Sequence, residues 1–143
     1  MTNSPSGTST GTGASPRAVV AGHGDFAAGV ISAVQQIVGT GNVFRGVNNA
    51  ALDAAGLERA IAAAVSDSLA TVVFTDLPGG SCTIAARRVA RVTPGLAVVT
   101  GANLAMLLDF ALNGAAAAAA EHAAEKGRAA ITVVEGLEDA RAH

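Results

Sequence analysis

The stretch Arg17–Val38 reads RAVVAGHGDFAAGVISAVQQIV. Its first apolar residues, Ala18-Val19-Val20-Ala21, form a short run of the kind that is buried on both faces of a parallel sheet. The run stops at Gly22-His23-Gly24, and an amphipathic pattern follows at once. Phe26, Val30, Val34 and Ile37 recur at helical spacing, with Ala27, Ile31 and Val38 widening the same stripe. A strand that ends in a small-residue turn and passes straight into a helix places that turn at the carboxyl edge of a parallel sheet. Open α/β sheets bind their ligands at that edge. The side chain at the turn is a histidine, left uncrowded by two glycines, so His23 is the first candidate for a reactive group.

The alternation continues outward from this stretch. Residues 1–16 are rich in Ser, Thr, Gly and Pro and lack bulky apolar groups, so they read as a flexible tail that cannot offset the entropy of ordering. Gly39 and Gly41 stop the first helix. Residues 42–48, NVFRGVN, read as a second strand interrupted by Gly46, and Asp53 caps a helix whose inner face carries Leu57, Ile61, Ala64 and Val65. Ala70–Asp76, ATVVFTD, is the most strand-like segment of the chain and runs directly into Leu77-Pro78-Gly79-Gly80-Ser81. Ser81 is the expected N-cap of a helix to Arg91 that turns Ala85, Ala86 and Val89 inward. A strand at Leu96–Thr100 breaks at Gly101-Ala102-Asn103, and Leu104, Leu107, Leu108 and Ala111 then share a helical face. An alanine-rich helix follows Gly114 to about Lys126, and Ile131–Val134 reads as a last short strand. The expected fold is α/β, a doubly wound and mostly parallel central sheet of about four to five strands with helices on both faces. Right-handed crossovers then bring three distant turns to one edge: Gly22-His23-Gly24, Asp76–Ser81 and Gly101-Ala102-Asn103.

Composition removes several functional classes. The 143 residues suit one domain, and they are half hydrophobic but only 3% aromatic, which implies a core of small side chains. A net charge of −2, no Trp, no Tyr and only four Phe leave neither a basic field nor stacking platforms for nucleic acid. The single Cys82 excludes an intramolecular disulfide framework and a multi-cysteine zinc site, as suits a reducing compartment. No apolar run reaches the roughly 20 residues of a membrane span, and residues 1–16 lack the positive and apolar regions of a secretion signal. A cytoplasmic domain without metal or cofactor is expected.

A histidine at such an edge can transfer protons, bind metal or carry a phosphoryl group. As a nucleophile it needs one ring nitrogen free and the other held by an acceptor. Asp76, at the end of the neighbouring strand, is the best placed carboxylate; Asp25 fits better at the start of the helix that follows His23. Helices beginning near Asp25 and at Ser81 would aim their unpaired N–H groups at this edge, where they bind phosphate. Gly79 and Gly80 allow close backbone approach, and the Ser81 hydroxyl adds a donor. The bland readings are a surface histidine, a turn aspartate and a tight Gly-Gly connection. Gly22–Ala27 also matches a loose GxGxxA dinucleotide pattern, but residues 42–49 contain no acid to hold a ribose. Arg87, Arg88 and Arg91 read as a solvated helix face and Cys82 as a buried small hydrophobe, while His122 and His143 receive no role.

Taken together, VVAGHGDFAAGV, FTDLPGGSCTIAARR and VVTGANLAMLL, in this order and spacing, resemble the IIA component of the mannose-type (mannose, fructose, sorbose and N-acetylgalactosamine) phosphoenolpyruvate-dependent sugar phosphotransferase system. The resemblance spans about residues 17–134. It implies that His23 accepts a phosphoryl group from the phosphocarrier protein HPr and passes it to a IIB component, which serves sugar uptake through the membrane IIC/IID permease. It implies Asp76 as the partner of His23 and matches Gly79, Gly80 and Ser81 to the family's Gly-Gly-Ser; with Gly24, beside His23, these are the candidate phosphate-binding residues. Residues 17–143 would then be the IIA domain, a cytoplasmic homodimer in which Ile131–Val134 is exchanged between subunits. A regulatory protein that senses phosphorylation state through the same histidine, outside transport, is the alternative. Cys82 stands where many members have proline, and Pro78 where many have a bulky residue.

Overall fold

The computed structural model describes residues 17–39, 43–50 and 52–137. Expectations for residues 1–16, for Gly41 and Asn42, and for His143 lie outside them. Nine elements follow in order: β1 (Ala18–Gly22), α1 (Phe26–Val38), β2 (Phe44–Asn48), α2 (Ala54–Ser68), β3 (Val72–Thr75), α3 (Ser81–Arg91), β4 (Ala97–Val99), α4 (Leu104–Asn113) and α5 (Ala119–Ala129). The four strands pair in the order β2-β1-β3-β4, all parallel. The chain thus winds one way from β1 to β2 and the other way from β1 to β3 and β4, so the sheet reverses direction between β1 and β3. That reversal opens the crevice in which doubly wound sheets hold ligands.

Alternation along β1 builds two cores. Ala18 and Val20 face α1, α4 and α5 together with Phe44, Phe74, Leu107 and Phe110, while Val19 and Ala21 face α2 and α3 together with Leu57, Ile61, Cys82, Ala86 and Val89. Every residue of β1 is buried, as a central parallel strand requires. The first core departs from a purely small-residue interior, because Phe44, Phe74 and Phe110 meet with ring centroids 5.4–6.3 Å apart. Such aromatic pairs stabilise by about 0.5–1.5 kcal/mol beyond their buried area.

Local chemistry sets the element ends. Asp53 Oδ1 accepts the Gly56 N–H at 2.7 Å and caps α2. Gly39, at φ 82°, closes α1 in the left-handed region and returns its N–H to Gln35 O. Four expectations need correction. Gly80, not Ser81, is the N-cap of α3; Ser81 is its first helical residue and makes no side-chain cap bond. The alanine-rich helix starts at Ala119, after turns through Gly114–Ala118. Ile37 is exposed rather than part of the inner stripe of α1. Ile131–Val134 forms no strand among the described residues: its apolar side chains stand in solvent, Ile131 at 73%, Val133 at 84% and Val134 at 88% exposure. Among the described residues no strand pairs with them to complete a ladder.

Candidate functional site

His23 follows the last residue of β1 and Asp76 follows the last residue of β3, adjacent parallel strands whose carboxyl ends flank the reversal. Asp76 Oδ2 accepts two hydrogen bonds from His23, one from the backbone N–H and one at ring Nδ1, each 2.8 Å. The carboxylate of Asp76 is mostly buried, at 11% exposure, whereas the imidazole is 49% exposed. Burial alone would raise the Asp76 carboxyl; the backbone bond, ring bond and charge of His23 outweigh it and hold the carboxyl below its ordinary 3.8. Asp76 is therefore ionised at neutral pH and can only accept. Nδ1 must carry the proton, and in the neutral ring Nε2 is left with its lone pair.

The backbone beneath the pair is specified residue by residue. Gly24 sits at φ +52°, a conformation that side chains rarely adopt, and this lets the chain turn from His23 into α1. Phe26 N–H returns to His23 O at 3.0 Å. On the other side, the Thr75 hydroxyl meets Thr83 Oγ1 at 2.5 Å, and Thr83 donates to Leu77 O. Both threonines are buried, so this tie fixes the loop that carries Asp76.

Gly80 packs against the imidazole so closely that a Cβ there would lie 3.1 Å from His23 Cε1. The amino end of α3 therefore abuts the edge of the ring that joins Nδ1 to Nε2. The first bond of that helix runs from Ile84 N to Gly80 O, which leaves the N–H groups of Ser81, Cys82 and Thr83 without acceptors inside the helix. The positive amino end of α3 and the small residue Gly80 thus lie beside a half-exposed imidazole, an arrangement suited to an anionic group near the ring. Gly79 has nothing within 4 Å of its would-be Cβ and borders open space.

The third turn differs from the other two. Asn103 is committed to structure: Oδ1 accepts Met106 N–H to cap α4, and Nδ2 donates to Gly127 O of α5, each at 3.0 Å. Cys82 is fully buried; burial, and then the charge of Asp76, push its thiol up to about 11. Arg87, Arg88 and Arg91 are exposed, with Arg88 only 3.9 Å from Glu58. Among the described residues, no three His, Cys, Asp or Glu gather to hold a metal ion, and no helix is long and apolar enough to cross a membrane.

Sequence reading missed two features. His122 Nδ1 lies 2.8 Å from Asp109 Oδ2, a second histidine–aspartate pair, with the ring 50% exposed and the carboxylate 7%. Asp109 Oδ1 also accepts from Asn113 Nδ2 at 3.0 Å. This pair joins α4 to α5, with Asp109 inside α4 and His122 in the first turn of α5. Asn49 is the other omission: its Nδ2 donates to Ser81 Oγ at 3.1 Å.

The sequence model of the PTS system fructose IIA component family matches residues 17–132. No curated protein matches the chain. Among solved structures, the mannose/sorbose specific IIA subunit of a phosphotransferase system from Enterococcus faecalis is similar at TM-score 0.70 and 24% identity, over 86% of this chain and 97% of that one. The phosphotransferase system component EIIA from Streptococcus agalactiae aligns at TM-score 0.72 and 21% identity, over 82% and 95%. A sigma-54 interaction domain protein from Enterococcus faecalis shares the fold more loosely, at TM-score 0.57 and 18% identity, over 69% and 79%.

Proposed function

The chain belongs to the family of PTS fructose IIA components, and on that premise we propose that His23 is a phosphoryl relay between two partner proteins. The donor is HPr and the acceptor a IIB component, which serves a sugar permease of IIC/IID type. The observation that carries this reading is the pair of hydrogen bonds from His23 to Asp76 Oδ2, which commits Nδ1 and frees Nε2 beside the amino end of α3.

In the proposed step, Nε2 attacks the phosphorus of the donor's phosphohistidine in line. The new N–P bond forms as the donor's N–P bond breaks, and the donor imidazole keeps that electron pair. The proton on Nδ1 stays in its bond to Asp76, whose charge balances the positive charge that grows on the ring. Backbone N–H groups near Gly24, Gly79 and Gly80 and the Ser81 hydroxyl hold the phosphoryl oxygens. Transfer to IIB is the same step reversed, with this chain as donor. His122 also has a carboxylate partner, but it lies within α5 and not at a strand-ending turn at the carboxyl edge of the sheet, which is why His23 is assigned the chemistry.

The exposed Ile131–Val134 segment supports a homodimer in which it adds to the sheet of a second subunit, since an exposed apolar strand former is stabilised by an edge such as β4. A regulatory role is the second reading, supported by the fold shared with the sigma-54 interaction domain protein. Intact mass after incubation with phosphoenolpyruvate, enzyme I and HPr tests the relay. One added phosphoryl group is expected on the wild type and none on His23→Gln. Equal labelling of His23→Gln removes the assignment. Passage of the label from wild-type protein to a IIB component supports transport, and retention of the label supports the regulatory reading.

A further inference from the structure

Asn49, which lies outside both turns of the site, is bonded to each of them. Its backbone N–H donates to Gly22 O at 3.2 Å, immediately before His23, and its carbonyl accepts from Leu52 N at 3.3 Å. Its side-chain Nδ2 donates to Ser81 Oγ at 3.1 Å, at the start of α3. The main chain of Asn49 is thus anchored on the His23 strand while its amide reaches across to the helix that abuts the ring.

A serine hydroxyl has one proton and two acceptor lone pairs. The amide of Asn49 fills an acceptor position on Ser81 Oγ, so the hydroxyl proton is left for another acceptor, a place for which the adjacent Cys82 sulfur competes with a phosphoryl oxygen. We propose that Asn49 is a positioning residue: it holds Ser81 as a hydrogen-bond donor toward the phosphoryl group on Nε2 of His23. The inference rests on the relay reading of His23 and adds to it the residue that sets the direction of the Ser81 proton. An aspartate in the same place would act in the opposite sense. Its carboxylate cannot donate, so it would accept the Ser81 proton and turn the hydroxyl away from the phosphoryl group.

The test is a double-mutant cycle on the rate of phosphoryl uptake from phosphorylated HPr, with the 31P shift of the phosphohistidine as a second readout. Asn49→Ala and Ser81→Ala should each slow uptake about tenfold, and the double variant should also be slowed about tenfold, not a hundredfold, because both changes remove one interaction. The 31P resonance should move in the same direction in both single variants. Ser81→Thr, which keeps a hydroxyl, should restore most of the rate. Asn49→Asp keeps the side-chain shape and should be slowed at least as much as Asn49→Ala, so it decides the matter if Asn49→Ala fails to fold. Wild-type rates in Asn49→Asp, or multiplicative losses in the double variant, overturn the role of Asn49 while wild-type labelling leaves the relay standing. A wild-type protein that takes no label overturns the relay and this role together.

Discussion

Asp76 Oδ2 takes two hydrogen bonds from a single residue, the backbone N–H and the ring Nδ1 of His23, at 2.8 Å each. One bond fixes where the turn lies and the other fixes which ring nitrogen is free. Because both use the same oxygen, position and tautomer of His23 are set together. Oδ1 of Asp76 is buried without a hydrogen-bond partner among the described residues, so the hold rests on Oδ2 alone.

Asp76→Asn follows from this. An amide holds the turn less strongly and no longer balances charge on the ring. Phosphoryl uptake on His23 should fall about ten- to hundredfold, the worth of a charge-assisted bond, while the circular dichroism spectrum stays that of the wild type. Stopped uptake assays with phosphorylated HPr give the rate, and an unchanged rate would remove Asp76 from the mechanism.

The same pair predicts an acid limb in stability. The Asp76 carboxyl titrates below its ordinary 3.8 in the folded chain, so unfolding binds a proton in that range. Its contribution is complete above 3.8 and is lost as pH falls through the lower folded value. Urea unfolding of wild type and Asp76→Asn at a series of pH values should give curves that differ most above pH 4 and converge in stronger acid. A difference that grows on acidification would contradict the sign.

Cys82 behaves in the opposite sense. Its thiol is raised from 9.0 to about 11, so any stability it adds is present below 9 and is lost as pH rises through 11. At pH 7–8 the native protein should resist thiol reagents and react fully once denatured, because the side chain is buried and protonated. Rapid modification of the native protein would place Cys82 elsewhere than in the core.

Much of this site was legible in the sequence because strand-to-helix turns leave strong local signals. β-branched runs stop at short turns, and topology then gathers those turns, which is how the sequence brings His23, Asp76 and Gly80 together. What escaped depends on packing between distant elements. Asn49 ends a segment notable in the sequence only for containing no acid, and its amide's reach to Ser81 has no signature in spacing. Asp109 was hidden inside the apolar run Leu107-Leu108-Asp109-Phe110, and its partner lies on the next helix. An acid in an apolar stripe does signal a buried charge that needs a partner. Ile131–Val134 has the composition of a strand but no neighbour among the described residues, and composition alone does not supply one.

The pairing of His122 with Asp109 predicts a structural role separable from chemistry. His122→Ala leaves a buried carboxylate with Asn113 as its one remaining side-chain partner among the described residues. Stability should fall by about 1–3 kcal/mol in urea unfolding, while His23 takes up label at the wild-type rate. Loss of uptake in a folded His122→Ala protein would contradict the division of roles between the two histidines.

The central claim is that Nε2 of His23 is the nitrogen that carries the phosphoryl group. Long-range 1H–15N NMR of the ring, recorded before and after incubation with phosphoenolpyruvate, enzyme I and HPr, reads this directly. Nδ1 should be protonated in both states, and the large 15N shift and 31P coupling should appear at Nε2. A phosphoryl group on Nδ1 of His23, or on His122, would contradict the account.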